Sequence, residues 1–493
     1  MTDLHLAPRW DAAPTPFRHT WAGMGNIDQF RWFQRADTLD HLRLARDELG
    51  LRHVRAVAMY GPEQRVWTPR LGDWRAKEKP RRANWQFVDV SLDHLVDLGL
   101  KPIYTTCFTP GEFTDSDKTV WPDHNPNGMP RDLGQWAGFV ADGLRHHLDR
   151  YGIAELRSWY FEIWNEPNLG GFFDGSREDF FRLWSATWRA VKGVHPDLRF
   201  GGPSTARAEW IPDFLDHAIA DGTPPDFIVG HIYNNDSESN PLSPFDGPAV
   251  DRVKDSPHFA SGVIRGTRRL LDARGWKGEV HWNEWGRSWF PHDPPRESAR
   301  EAAFVAKTMA EVSQEADFFA YWCLSDIYDQ IGVVGSEFDG SYGMLSLHAL
   351  RKPAWQAHRL LCRLGRASVP VAGGDALQGA VATVDGGARV LVWRYPAAVD
   401  VPATSDRVSV RLAARPALTP RLYRIDAREH NILAAWRDLG APAYPSRAQL
   451  ADLRAQNGLI PAAPSALTVR EEAGAWVAEF ALERPGVALV ELG

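Results

Sequence analysis

Apolar positions along roughly the first 360 residues of this chain switch repeatedly between two spacings. Short runs rich in Val, Ile, Tyr, Phe and Trp predict β-strands. Between them, apolar residues recur every three or four positions, which predicts helices. Eight such strand–helix pairs in succession are typical of a (β/α)8 barrel. The predicted strands are 17–24, 52–59, 102–108, 158–164, 199–203, 226–233, 279–283 and 318–324. The predicted helices are 39–49, 87–98, 133–150, 178–194, 209–220, 259–273, 296–315 and 347–364.

The connections between these segments are unequal in length. Links from a helix to the next strand are short, and Gly50, Gly99, Gly222 and Gly275 follow predicted helices, where a left-handed cap favours glycine. Links from a strand to the next helix are mostly long. The elaborated face is therefore the one at the carboxyl ends of the strands, where barrel enzymes place their active sites.

Beyond residue 362 the pattern changes to short β-like runs separated by Gly, Pro and Asp. This pattern favours an antiparallel β-sandwich, with a helical interruption predicted at 431–439 and 447–455. The expected fold class is α/β: a (β/α)8 TIM barrel at 14–362 followed by the sandwich at 363–493. A strand from residues 1–13 could join the sandwich and tie the two parts together.

Composition narrows the choice of partner and compartment. A net charge of −7 and a pI near 6.2 argue against nucleic-acid and anionic-membrane partners, because both require a basic surface. The first residues do not resemble a signal peptide, and no run reaches the roughly 18 apolar residues of a membrane span. The three cysteines form no CxxC pair, which fits a reducing compartment. We expect a cytoplasmic protein, or a periplasmic one whose leader has been removed; the sequence indicates no oligomeric state.

Two short motifs carry the candidate chemistry. Glu166 lies in Trp-Asn-Glu-Pro at the end of the fourth predicted strand, and Glu284 lies in Trp-Asn-Glu-Trp at the end of the seventh. They are 118 positions apart, but a barrel would bring both strand ends to one rim. Cleavage of a glycosidic bond needs such a pair: one acid to protonate the leaving oxygen, and one nucleophile or base. Taken alone, Asn-Glu-Pro is equally compatible with a simple turn.

Strand periodicity predicts the neighbours of each carboxylate. With a period of two, Glu162, Trp164 and Glu166 share one face. Aromatic neighbours would desolvate Glu166 and raise its pKa, as a general acid requires. Glu284 shares a face with Trp282, and as a nucleophile it needs hydrogen-bond donors that keep it ionised. The candidate donors are Tyr233, Arg55 and Arg287.

Three further residues are candidate sugar contacts. Asn165 can donate its amide to a sugar hydroxyl, and His231 points the same way as Tyr233 at the end of the sixth predicted strand. His231 could equally be a histidine of the barrel mouth with no substrate role. Trp322, near the end of the eighth strand, is a candidate platform under the sugar or else a packing residue. More than half of the 22 tryptophans are expected to pack the core.

The chain resembles glycoside hydrolase family 39, the family of β-xylosidases and α-L-iduronidases. The resemblance implies a TIM barrel, Glu166 as general acid/base, Glu284 as nucleophile, and a retaining mechanism. The segment at 436–446 is similar to the bacterial β-xylosidase branch. The matching segments are FEIWNEPNL at 161–169, GGP at 201–203, HIY at 231–233, WNEWG at 282–286, YWCLSDIY at 321–328, YGMLSLHALRKP at 342–353 and WRDLGAPAYPS at 436–446.

One position departs from the family pattern. The family often carries Arg-Phe-His-Gly at the end of the second strand, whereas Arg55 is followed here by Ala-Val-Ala, without the histidine. A contact to the non-reducing sugar is therefore open, and so is the preference for xylose.

The leading prediction is a retaining, exo-acting β-xylosidase that releases xylose from the non-reducing end of xylo-oligosaccharides. The same machinery could act on an α-L-arabinopyranoside, a β-glucoside or a uronide, and a non-catalytic carbohydrate-binding protein is a third reading. A uronide would require a cationic pocket, for which the candidates are Arg55, Arg65, Arg287 and Lys118. No metal or organic cofactor is implied, because the chain has no HExxH, EF-hand or glycine-rich phosphate loop.

Overall fold

A barrel of parallel strands forms the larger part of the molecule, for which a computed structural model describes residues 3–69, 81–239, 257–330, 332–396, 403–416, 419–472 and 474–492. Eight parallel strands form one sheet in which chain order is also spatial order. The two ends of the sheet meet where the amide of Leu324 donates to the carbonyl of Asn26 at 2.9 Å. This confirms the predicted TIM barrel. The strands are Met24–Gln29, His53–Val57, Lys101–Thr106, Tyr160–Ile163, Phe200–Thr205, Phe227–Tyr233, Glu279–Gly286 and Phe318–Tyr321.

A helix follows each barrel strand and covers the outside of the sheet. Local sequence explains where these helices begin. Ser176 accepts from the amide of Asp179 while Asp179 accepts from Ser176, a capping box that starts the fourth helix. Pro353 starts the eighth helix, where its missing N–H costs nothing. The helices are Ala36–Leu49, Gln86–Asp97, Leu133–Tyr151, Arg177–Val194, Ile211–Ala220, Phe259–Ala273, Ala299–Val312 and Pro353–Cys362.

The first strand begins at Met24, the last residue of the predicted segment 17–24, so that boundary was wrong. Gly23 has a φ of 95°, a left-handed conformation that interrupts extended backbone. Phe17 and Trp21 are apolar because they pack in the core under the helices. Apolar character alone does not distinguish such a buried loop from a strand.

The barrel interior changes character along its axis. Side chains on the outer face of the strands, such as Phe161, Ile228 and Trp282, pack in the core between the sheet and the helices. At the amino-terminal end the interior side chains form a small apolar cluster that closes the barrel. The carboxyl end of the interior is thereby left to polar side chains. The apolar cluster consists of Met24, Ile103, Tyr160, Phe227, Val229 and Ala320.

The C-terminal part contains two sheets, and strands from the N-terminus enter both. Leu4–Pro8 runs parallel to Thr404–Arg411, with Leu4 opposite Val408. The expected antiparallel order fails for this pair because a strand from the distant N-terminus is not joined to its neighbour by a hairpin. The first sheet consists of Val371–Ala372, Leu4–Pro8, Thr404–Arg411, Ala475–Arg484 and Leu467–Glu472. The second consists of Thr15–Pro16, Ala367–Val369, Gln378–Thr383, Arg389–Arg394, Gly486–Glu491 and Arg421–Ile425.

The helical interruption of the sandwich packs against the barrel. Helices Ile432–Asp438 and Arg447–Gln456 contribute buried leucines that cluster with Phe338 and Leu350. We propose the domain division at residues 362 and 363, with the N-terminal strands assigned to the sandwich. In the ranges that the structure covers, helices of sufficient length and hydropathy to cross a bilayer are absent.

Candidate active site

Glu166 and Glu284 lie side by side at the carboxyl rim of the barrel. One oxygen of each carboxylate and one ring nitrogen of His231 all lie within 4.8 Å of one another. Both glutamates are buried, with 9% of Glu166 and 5% of Glu284 exposed. The fold therefore brings together two acidic side chains that are 118 positions apart in the sequence.

The turn after the fourth strand departs from the expected alternation. The strand ends at Ile163, and Trp164 and Glu166 have left-handed φ values of 55° and 46°. The indole of Trp164 packs edge-on against Phe108 in the core under the helices, with ring centroids 5.4 Å apart. The prediction that Trp164 shares a face with Glu166 is wrong, because the left-handed residue turns the chain. As a result Asn165 and Glu166 both line the cavity.

The seventh strand also departs from strict alternation. Its pairing with the eighth strand shifts register between Trp282 and Trp285. Trp282 lies in the core under the helices, whereas the Asn283 amide donates to Glu162 inside the barrel. The prediction that Glu284 shares a face with Trp282 is therefore wrong. The irregularity turns two consecutive side chains inward, as bulges do.

Arg55 connects the interior polar groups of the second, fourth and seventh strands. Its guanidinium is fully buried and donates to Glu284 Oε1 at 2.7 Å, to Asn165 Oδ1 at 2.7 Å and to Glu162 Oε1 at 2.9 Å. Glu162 also accepts from Ser204 and from the seventh strand. Paired and hydrogen-bonded in this way, the buried charges are compensated.

Glu162 is the member of this network to which sequence analysis assigned no function. A signal was present: an acid at an interior position of a central barrel strand is almost never buried without a partner. Arg55 occupies an interior position of the second strand and is its natural counter-ion. Glu162 holds Arg55 in place inside the barrel, and Arg55 in turn donates to Asn165 and Glu284 at the rim.

Tyr233 and Arg287 were both expected to donate to Glu284. Tyr233 does so, with its hydroxyl 3.1 Å from Glu284 Oε2. Arg287 does not. Its guanidinium donates instead to Glu301 Oε2 at 2.8 Å and to Asp293, and these contacts direct it away from the cavity. The expectation for Arg287 was wrong because two other carboxylates, invisible as partners in the sequence, compete for it.

His231 lies between the two carboxylates. Its Nδ1 is 3.0 Å from Glu166 Oε1 and 3.5 Å from Glu284 Oε2. Burial lowers the pKa of His231 to about 4, so its ring is neutral at pH 7. A neutral ring can hydrogen-bond Glu166 without adding a positive charge beside it.

The two carboxylates differ in what surrounds them. Burial raises the pKa of Glu166 to about 7, against the opposing positive charges of Arg55 and Arg207. Burial also raises the pKa of Glu284, and there His231, then the charge of Arg55 and its direct hydrogen bond, oppose the rise. Glu166 is therefore the carboxyl that holds a proton near neutral pH.

A cavity of about 510 Å³ opens above the carboxylates. Trp322 lines it and is buried, with its amide bonded to the carbonyl of Trp285 at 3.0 Å. We call the buried lining residues the deep part and the half-buried or exposed ones the outer part. Besides the two glutamates, the deep part consists of Asn165, Ala206, Tyr233, Asp236, Trp322, Tyr328, Gln330 and Tyr342, and the outer part consists of Trp121, Leu169, Phe172, Arg207, Trp289 and Pro291.

Two groups of side chains in the described residues are close enough together to hold a cation. One is the pair of glutamates with His231, where the Arg55 guanidinium already provides a positive charge. The other is Asp89, His146 and His147, in which His146 Nε2 bonds Asp89 at 2.8 Å.

Comparison with known proteins gives a consistent picture. The model of "Glycosyl hydrolases family 39" matches residues 10–472. A β-xylosidase of Geobacillus stearothermophilus is 26% identical over 435 residues, which are 87% of this chain and 85% of that protein. The α-L-iduronidase of Homo sapiens is 34% identical over 195 residues, which are 38% of this chain and 28% of that protein.

One solved structure has a similar fold over the full length of this chain. The crystal structure of a monomeric β-xylosidase from Caulobacter crescentus CB15 has a TM-score of 0.82 and 27% sequence identity with this chain. The match covers 100% of this chain and 99% of that one. The barrel and the sandwich are therefore both part of the similarity.

Proposed function

Because this chain belongs to glycosyl hydrolases family 39, and is thus a glycosidase, we propose that it is a retaining, exo-acting β-xylosidase. The family match confirms the resemblance inferred from the sequence motifs. The observation that carries the proposal is the pair of buried carboxylates within 4.8 Å of each other at the base of one cavity. The substrate is a carbohydrate, which we propose to be a short xylo-oligosaccharide.

In the first step, Glu166 donates its proton to the glycosidic oxygen while Glu284 attacks the anomeric carbon. The raised pKa of Glu166 supports this role, since about half of it is protonated near pH 7. Arg55 and Tyr233 each donate to a different oxygen of Glu284. These two bonds favour the carboxylate form and direct the nucleophile toward the cavity.

The spacing of the carboxylates supports retention of configuration. Retaining enzymes hold the two groups about 5–5.5 Å apart, whereas inverting enzymes leave about 6.5–9.5 Å for a water molecule. One oxygen of Glu166 and one of Glu284 lie within 4.8 Å of each other, which favours the shorter class. In the second step, ionised Glu166 removes a proton from water as the water displaces Glu284 from the sugar.

Asn165 is placed to recognise the sugar during both steps. Its Oδ1 accepts from Arg55, so its amide nitrogen is the group left for a ligand. We propose that it donates to the 2-hydroxyl, a contact that strengthens as charge develops in the transition state. Trp322 would lie beneath the sugar ring, and His231 would hold the acid in position.

Exo action follows from the shape proposed for the site. The buried lining residues are mainly aromatic and amide side chains, together with Ala206 and Asp236, and the remaining lining residues are half-buried or exposed. A chain end can enter such a site, whereas an internal segment would need two open sides. The proposed release of single xylose units agrees with the name β-xylosidase of the Geobacillus stearothermophilus relative.

Cation placement favours xylose over a uronide. Arg207 is the cationic side chain among the cavity residues of the described chain, and it pairs with Glu209 at 2.9 Å. Lys118 pairs with Asp174 at 2.6 Å, outside the cavity. A uronate carboxylate would have to compete with these acids for its counter-ion.

A panel of nitrophenyl glycosides tests the sugar. The β-xyloside should have the highest kcat/KM among the β-xyloside, β-glucoside, β-glucuronide and α-L-arabinopyranoside. Proton NMR of the first product should show the β-anomer, and a 2-fluoroxyloside should label Glu284. Release of the α-anomer would contradict retention, and a preference for the glucuronide would contradict xylose specificity.

Exo action needs a separate measurement. Xylotetraose labelled at its reducing end should give free unlabelled xylose first, followed by labelled products shortened by one sugar at a time. Early release of xylobiose or of labelled xylose would contradict cleavage from the non-reducing end.

A further inference from the structure

The outer part of the cavity wall includes an exposed aromatic side chain. Trp289 lines the cavity and yet 46% of it is exposed, whereas the aromatic residues of the deep wall are buried. Phe290, which is 43% exposed, packs against it with ring centroids 4.5 Å apart. Large exposed aromatic surface at the mouth of a site is a typical mark of ligand contact.

The loop that carries this side chain is firmly held. The buried guanidinium of Arg296 donates to the carbonyls of Ser288 at 2.8 Å and Phe290 at 2.7 Å. The amide of Trp289 donates to Asn235 Oδ1 at 3.1 Å, and its carbonyl accepts from the Tyr342 hydroxyl. Because the backbone is held on both sides, ligand binding would have to order little besides the rotamer of the indole.

The occupant follows from the direction in which the substrate enters. In a pocket closed at its deep end, the sugar that is cleaved off lies among the buried residues and the leaving group lies toward the opening. We propose that Trp289 is the platform on which the ring of the leaving group stacks, an inference that rests on the proposed exo-glycosidase function. Trp289 thereby becomes a specificity-determining residue for the leaving group and not for the sugar that forms the covalent intermediate.

The chemistry of the mouth indicates what kind of leaving group is accepted. Its residues are mainly apolar: Trp289, Pro291, Leu169, Phe172 and Trp121. Recognition there depends on the apolar face of a ring, with hydroxyl groups directed to water. The leaving group is therefore a ring with an apolar face, such as the second xylose of xylobiose, held without a fixed set of hydrogen bonds.

Two xylosides test this inference, one with a ring in its leaving group and one without. Xylobiose and trifluoroethyl β-xyloside have leaving alcohols of comparable acidity, but only the first leaving group has a ring. For Trp289→Ala, we expect kcat/KM on xylobiose to fall roughly ten-fold more than kcat/KM on the trifluoroethyl substrate. Trp289→Phe should recover most of that difference, because it keeps a ring.

The control variant is Tyr444→Ala. Tyr444 is an aromatic residue with 84% of its surface exposed, and it lies outside the cavity. Its removal should leave the ratio of the two kcat/KM values unchanged. Light scattering on each variant measures whether the exposed aromatic pair instead joins two copies of the chain.

Equal losses on both substrates, or no loss, for Trp289→Ala would overturn the platform. A change of molecular mass with an unchanged ratio would overturn it in favour of a contact between copies. If the unaltered enzyme hydrolysed neither xyloside, the proposed function would fail and the platform with it. If it hydrolysed both and the ratio did not respond, the platform alone would fail.

Discussion

The ends of the fourth and seventh strands carry the same residue type in nearly the same motif, yet they build opposite surroundings. Glu284 accepts from the cationic Arg55 and from Tyr233. Glu166 has a neutral histidine at 3.0 Å, and burial raises its pKa to about 7. One carboxyl is thus supplied with donors that favour its charge, and the other is desolvated without them.

If the proposed mechanism holds, the different roles of the two glutamates come from their neighbours and not from the glutamates themselves. Desolvation and nearby charge act on any carboxyl in the same way. The charge of Arg55 acts on both glutamates, but its hydrogen bond to a carboxylate at the rim is to Glu284. Substitutions of the two glutamates, of Arg55 and of Tyr233 each remove one of the groups that make the two surroundings different.

Removal of the nucleophile should have the largest effect. Glu284→Ala is expected to lower kcat on aryl xylosides by about 10⁴-fold or more, because the covalent route is lost. Added azide should restore activity and give the α-xylosyl azide, since azide then attacks from the side of the missing carboxylate. Recovery of the β-azide would show that Glu284 is not the nucleophile.

Removal of the acid should depend on the leaving group. Glu166→Ala is expected to lower kcat/KM on xylobiose by about 10²–10⁴-fold, and far less on a dinitrophenyl xyloside, whose leaving group needs no proton. Azide should here give the β-xylosyl azide. Because Glu166 must be protonated, wild-type kcat/KM on xylobiose should fall above pH about 7, and the variant should lose this limb. If kcat/KM of Glu166→Ala still fell above pH about 7, the fall would be due to the titration of another group.

The third substitution removes Arg55, whose guanidinium hydrogen-bonds Glu284. Arg55→Gln is expected to lower kcat/KM by roughly 100-fold and to destabilise the fold by about 3–5 kcal/mol, because it breaks buried ion pairs. Glu284 must be ionised, and without Arg55 its pKa rises, so the acidic limb of the pH profile should move to higher pH.

The matched control for this variant is Arg287→Gln, a buried arginine whose partners are Glu301 and Asp293. It should lower the melting temperature without moving the acidic limb. An acidic limb that stays in place in Arg55→Gln would contradict the assignment of Arg55 as the group that keeps Glu284 charged.

The smallest expected effect is at Tyr233. Tyr233→Phe removes one hydrogen bond to Glu284 and should lower kcat/KM about ten-fold, with the acidic limb raised slightly. Tyr160→Phe is the control, since that hydroxyl donates to Glu279 at 2.7 Å inside the opposite end of the barrel. Loss at Tyr233 no larger than at Tyr160 would mean that the bond to Glu284 does not matter for catalysis.

Much of the architecture was predictable because it depends on local signals. Alternating strand and helix patterns, short links after helices and long links after strands all predicted the barrel and the face that carries the site. The wrong boundary of the first strand and the parallel pairing of Leu4–Pro8 share a cause. In both, long-range contacts decide the role of a segment whose apolar pattern is ambiguous.

By itself, the sequence determined that two glutamates end barrel strands and would meet at one rim, because chain order is spatial order in a parallel barrel. Only the tertiary structure decided which side chains surround them. A left-handed turn at Trp164 and a register shift after Trp282 each break the strand alternation. At both places two consecutive side chains then point toward the barrel axis or the cavity. Whether Arg55 or Arg287 reaches Glu284 depends on competing carboxylates from distant segments, and a linear pattern cannot express that competition.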